Sequence, residues 1–118
     1  MTNLYECKGQ AMTEADIADL FAGLGPVSVR KLFGGKGIYF DGVIVAIELR
    51  GELMLKADQE STPDFLAAGC RQWTYTGSRH GKNVAMPYWS VPDSALDDPD
   101  EMAVWARKAY EAGLRAGK

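Results

Sequence analysis

Apolar and polar positions along this chain change their period several times, and each change marks an element. Ile17, Leu20, Phe21 and Leu24 recur at helical spacing behind Thr13-Glu14-Ala15-Asp16, where a hydroxyl cap is followed by acids in the first turn. That spacing predicts a helix over residues 13–24, ended by Gly25-Pro26. From Val27 the period becomes two. Val27, Val29 and Phe33 alternate with Ser28 and Arg30, Gly34-Gly35 interrupts, and Gly37 to Phe40 resumes. Asp41-Gly42 is a hairpin signal, because both turn positions need positive φ. Val43, Val45, Ile47 and Leu49 then share one strand face, and Ile44, Ala46 and Glu48 the other. Arg50-Gly51 makes the next turn, and Leu53 and Leu55 return to the inward face. Such a meander, apolar on one side, is the pattern of an antiparallel sheet with helices on one face.

The second half repeats the alternation of helix and strand. Thr62-Pro63-Asp64 opens a short helix that Gly69 stops as a left-handed cap. Arg71 to Tyr75 and Lys82 to Val91 read as paired strands around a polar turn, and Pro87 implies an edge position or a bulge. Asp97-Asp98-Pro99-Asp100-Glu101 opens a last helix whose buried stripe is Met102, Trp105, Ala106 and Ala109. The expected fold is α+β, a two-layer sandwich. Its 118 residues form one domain with a single core, and residues 1–12 are expected to be a poorly ordered leader.

Composition narrows the classes. Hydrophobic residues make up 47% and charged residues 25%, the balance of a globular domain and not of a disordered chain. No apolar run is long enough to span a bilayer, and the N-terminus carries no secretion signal, so a cytoplasmic location without membrane contact is expected. Cys7 and Cys70 read as free thiols in that reducing compartment, with a disulfide between them the lesser alternative. The net charge is −3, so a basic surface must be local; residues 27–90 carry eight bases against six acids and would have to supply it.

Candidate chemistry is sparse. Gly34-Gly35-Lys36-Gly37 lacks the spacing and hydroxyl of a phosphate loop and lies between strands, and it fails the dinucleotide fingerprint too. A bulge or kink that needs glycine explains it better. His80 is the chain's one histidine and cannot build a metal site; with Arg79 and Lys82 it forms a basic turn, read mainly as a solvated hairpin tip. Arg71, Trp73 and Tyr75 share a strand face if alternation holds. That face would either stack single-stranded nucleic acid or pack against the protein's own helices, and packing is the preferred reading. Cys70 follows a helix C-terminus, where a thiolate gains nothing, and the acids at 97–101 lack the spacing of a calcium loop. No catalytic, cofactor-binding or metal-binding residue is assigned, and no cofactor is expected.

The run Phe33-Gly34-Gly35-Lys36-Gly37-Ile38-Tyr39, then Asp41-Gly42, then Glu52 to Asp58, resembles the N-terminal domain of the TfoX/Sxy family of bacterial competence regulators. Phe65 to Gly69, Met86-Pro87-Tyr88-Trp89-Ser90-Val91-Pro92, and Asp97-Asp98-Pro99 ahead of Trp105-Ala106 extend the resemblance over nearly the whole chain from about residue 13. It implies the order α-β(3)-α-β(2)-α, a bacterial cytoplasmic protein, and a part in transcription of DNA-uptake genes. Family members act there with the cyclic-AMP receptor protein and carry a second, helical domain that resembles DNA-binding modules. This sequence stops at Lys118 without one, so direct DNA binding is not expected of it.

The leading expectation is therefore a non-enzymatic regulatory domain that works by protein–protein contact. The alternatives are a weak nucleic-acid binder or a small-ligand-binding domain on the apolar sheet face. Candidates for contact with nucleic acid or a partner are Arg30, Lys31, Lys36, Arg71, Arg79, His80 and Lys82. Tyr39, Ile44, Ala46 and Met54 are expected on the face away from the helices, as a surface for homodimer formation.

Overall fold

The computed structural model describes residues 12–32, 34–76 and 83–117. The expected turn chemistry organises it. Thr13 caps α1 (Glu14–Leu20) through a full capping box: its hydroxyl accepts from the Asp16 N–H at 3.1 Å while its own N–H donates to the Asp16 carboxylate at 3.1 Å. The helix is shorter than the apolar spacing suggested, and residues 21–24 continue as turns. Four strands follow, β1 (Ser28–Leu32), β2 (Gly35–Phe40), β3 (Val43–Leu49) and β4 (Glu52–Lys56), one more than the family order counts. Asp41 and Gly42 have φ of 53° and 78°, and Arg50 and Gly51 of 53° and 87°, so both tight hairpins use the paired positive φ that their sequences announce.

After the meander comes α2 (Thr62–Ala67). It ends at Gly69, φ 79°, where Cys70 N–H donates to Phe65 O and Gly69 N–H to Leu66 O, a Schellman closure. The chain then runs through β5 (Gln72–Thr76), β6 (Asn83–Ser90), a short α3 (Asp93–Leu96) and the long α4 (Pro99–Gly117). Among the described residues the six strands form one antiparallel sheet in the order β1-β2-β3-β4-β6-β5. Pro87 thus sits in an internal strand, at a bulge. Gln72 opposes Trp89 and Thr74 opposes Ala85, so three residues of β6 face Trp73, and the Gln72 amide donates to Met86 O at 3.0 Å inside the irregular stretch.

A second bulge decides which residues meet the helices. Tyr39 pairs with Ile44 but Ile38 pairs with Ala46, which leaves Val45 as an extra residue in β3. Alternation therefore resets there. Val29, Ile38, Ala46, Leu55 and Trp89 form one rank across the sheet toward the helices, and pack with Ile17, Phe21, Phe65, Met102, Trp105 and Ala106. Phe65 anchors the centre, its ring 4.8 Å from that of Trp105 and 6.1 Å from that of Trp89. Ala46 was expected on the far face; the bulge turns it into the helix-facing core, fully buried. Ile47 and Leu49, expected inside, move to the other face with Met54. Helix α4 comes close to the sheet because its stripe is small; a Cβ on Gly113 would lie 2.5 Å from Val43 and 2.7 Å from Ile44 O.

The glycine cluster is a packing device. Gly34 has φ 76°, but a Cβ there would meet open space. A Cβ on Gly35 would lie 2.2 Å from the Glu48 carbonyl oxygen and 2.4 Å from Leu49. Met12, expected in a loose leader, is instead buried, and residues 1–11 lie outside the described residues.

Asp58 ties the lead-in of α2 to α4. Its carboxylate accepts from the Glu60 and Ser61 N–H groups ahead of α2 and receives a two-pronged contact from the Arg115 guanidinium of α4, the Nη2 arm at 3.1 Å. The Arg115 hydrogen bond, opposed by partial burial, holds the Asp58 carboxyl at about 2 against an ordinary 3.8. The folded chain refuses a proton that the unfolded chain takes up near 3.8. This contribution is therefore complete above that pH and lost as pH falls toward 2.

Two predictions follow from these contacts. Gly35→Ala should destabilise the fold by about 2–3 kcal/mol, against about 1 kcal/mol for Gly34→Ala, as read from urea denaturation midpoints; equal costs would contradict the close approach. Asp58→Asn should flatten the fall of stability between pH 4 and pH 2. An unchanged acid profile would contradict the Asp58–Arg115 linkage.

Candidate functional site

Three places could carry chemistry or contact: the glycine-hairpin unit around Glu48, a cleft beside Cys70, and the sheet face away from the helices. Glu48 was passed over in the sequence because it alternates with apolar residues like any half-exposed strand acid. The bulge at Val45 turns it toward the core, where its side chain is 1% exposed. Its Oε2 accepts from Met12 N–H at 3.1 Å and Gly51 N–H at 2.7 Å, and its Oε1 lies 3.6 Å from Lys36 Nζ. A buried carboxylate persists only when such partners replace its hydration. The unit ties the entry to α1, the β2 strand and the β3–β4 turn to one carboxyl group. Its partners are all internal, so it reads as architecture.

The cleft, about 1310 Å³ and open to solvent, runs from the β3–β4 turn past the end of α2 to α3. Leu49, Leu53, Val91 and Leu96 give it an apolar floor, and the Arg71–Glu52 ion pair stands at its rim with an N···O distance of 3.2 Å. Cys70 lines it as a free thiol. Burial pushes that thiol up, a contact with Ser90 works the other way, and the Asp93 carboxylate raises it further. Net elevation is the wrong direction for a nucleophile. Among the described residues no group of three or more His, Cys, Asp or Glu is placed to hold a metal ion.

The far sheet face has a buried apolar centre and a half-buried apolar rim. Ile47, Met54 and Tyr88 form a second apolar cluster, with Leu32, Ile44, Leu49, Trp73 and Met86 packed around it. Among the described residues this cluster draws on strands alone. Trp73 and Tyr88 meet edge to face at 6.3 Å. Trp73 was expected against the helices; the irregular pairing of β5 with β6 places it here instead, half-buried. Tyr39, Ile44 and Met54 lie on this face as expected. Two cations lean over its rings, Arg30 at 5.2 Å from the Tyr39 centroid and Lys56 at 5.2 Å from the Tyr88 centroid. Burial, with Tyr39 second, raises the Tyr88 phenol and keeps it neutral.

The basic residues read from the sequence do not converge. Arg30 and Lys31 are consecutive in β1 and point to opposite faces. Lys36 is paired with Glu48 and Arg71 with Glu52. Arg79, His80 and Lys82 lie outside the described residues, as do Cys7 and Phe33. What the sequence missed was Lys56, Met86 and Tyr88: they join Arg30, Met54 and Trp73 through strand pairing across β4, β6 and β5, which no local pattern encodes.

The family model of the TfoX N-terminal domain matches residues 19–113 of the 118. No curated protein matches the chain. The matched span contains the whole meander, both bulges and most of α4.

These environments separate architecture from surface by their cost. Glu48→Ala should destabilise the fold by roughly 2–4 kcal/mol, because it orphans one buried and one part-buried N–H group and the Lys36 ammonium. Trp73→Ala should cost about 1–2 kcal/mol, against about 3–5 kcal/mol for Trp89→Ala in the helix-facing core. Chemical denaturation of the three variants checks the ranking; a Trp73 cost equal to that of Trp89 would contradict the placement.

Proposed function

We propose a protein-docking role for this chain, which belongs to the TfoX N-terminal domain family. The reading rests on one observation: the sheet carries a second apolar face, built of Tyr, Trp, Met, Leu and Ile with arginine and lysine at hand, over which the described helices do not pack. Aromatic residues, methionine and arginine are the side chains enriched where proteins recognise one another. In this reading the domain is a regulatory module and not an enzyme. Its partner is a protein of the transcription machinery or its regulators, as the resemblance to competence regulators suggests, and its place of action is the cytoplasm.

The nucleic-acid reading draws less support. Two of its candidate cations are neutralised by carboxylates, and the remaining described ones are split between faces. The cleft beside Cys70 would serve a small-ligand reading, but Arg71 at its rim is already held by Glu52.

Site-specific photo-crosslinking in the native host tests the docking role. A photoreactive amino acid at position 73 should yield a discrete protein adduct that the same amino acid at position 104, exposed on α4, does not yield. Identical adduct patterns from both positions, or none from position 73, would contradict it.

A further inference from the structure

We infer that the occupant of the second sheet face is an acidic, apolar-rich segment of a partner protein, recognised by Arg30 and Lys56. This rests on the docking reading above and adds the partner's charge. The register places the charged side chains of that face. Arg30 heads the rank Arg30–Gly37–Ile47–Met54–Ser90, and Lys56 pairs with Tyr88. Glu52 pairs with Leu49 on the same face, and its carboxylate is held by Arg71. Among the described residues, Arg30 and Lys56 thus remain as cations set over aromatic rings and in no ion pair.

They stand on β1 and β4, with β2 and β3 between them. Strand spacing, with the two-residue offset of Lys56 from Met54, separates their backbones by roughly 16 Å, with half-buried Ile44 and buried Ile47 in the interval. An extended segment spans that distance in about five residues, so alternating acids and apolar side chains can meet both cations and the greasy strip together.

Two other occupants fit less well. A second copy of this chain, face to face, would bring two Arg30 and two Lys56 into one interface whose Glu52 carboxylates are already held by Arg71. Single-stranded nucleic acid needs free aromatic faces and many cations. Here the Tyr39 and Tyr88 rings are already covered by Arg30 and Lys56, and Tyr88 is 8% exposed.

The probes are a short peptide alternating phenylalanine with glutamate, its lysine counterpart, and oligothymidylate. Each is titrated into the full chain by fluorescence anisotropy, with amide shifts mapping the site. The glutamate peptide should bind at least about tenfold more tightly than the lysine peptide, and shift residues of β3, β4 and β6. The paired changes Arg30→Glu and Lys56→Glu should reverse that preference, while Trp73→Ala should weaken both peptides. If Trp73→Ala weakens binding but charge reversal leaves the preference untouched, the acidic-partner inference is overturned and the docking face stands. If neither peptide binds, or the shifts map elsewhere, both fail. Tighter binding of oligothymidylate, lost on charge reversal, overturns the inference in favour of nucleic acid. Amide spectra of the variants that keep the wild-type dispersion show that they remain folded.

Discussion

A carboxylate without water needs partners, and in this protein the burial of Glu48 constrains the hairpins around it. The strand β3 could present Glu48 to solvent by simple alternation, but the extra residue at Val45 turns it inward. Once inside it must be satisfied, and it is: by the N–H that precedes α1, by the N–H of the β3–β4 turn, and by the Lys36 ammonium of β2. Gly35 meets a separate constraint on the same strand pair, since the β2 backbone can approach the Glu48 backbone carbonyl and Leu49 only where no Cβ intervenes.

The same bulge gives the sheet its two characters. On one side Ala46 and the small stripe of α4 allow close helix packing around Phe65, Trp89 and Trp105. On the other, Ile47 and Leu49 join Met54, Trp73 and Tyr88 in a smaller apolar cluster. Most antiparallel sheets with helices on one side turn a polar face to water. This one does not, and that departure carries the functional reading.

Local chemistry made much of the fold legible in the sequence. The capping box at Thr13, the Asp41-Gly42 and Arg50-Gly51 turns and the Gly69 stop each depend on a few neighbouring residues, and each appears where the sequence put it. Non-local pairing was not legible. Nothing within β3 shows that Val45 lacks a partner; that depends on how β2 pairs beside it, and it misassigned Ala46, Ile47 and Leu49 together. Trp73 was misplaced for the same reason, by the irregular pairing with β6 around Pro87. The candidate face was only partly visible because it is assembled from all six strands, with its cations contributed by β1 and β4.

The central claim is that this second face is a working surface and not a second core. Acrylamide quenching of single-tryptophan variants measures it directly, retaining Trp73, Trp89 or Trp105 in turn with phenylalanine at the other two positions. The account predicts that Trp73 is quenched well above Trp89 and Trp105 in the free protein, and that a bound partner protects it. Protection of Trp73 in the free chain equal to that of Trp89 would contradict it.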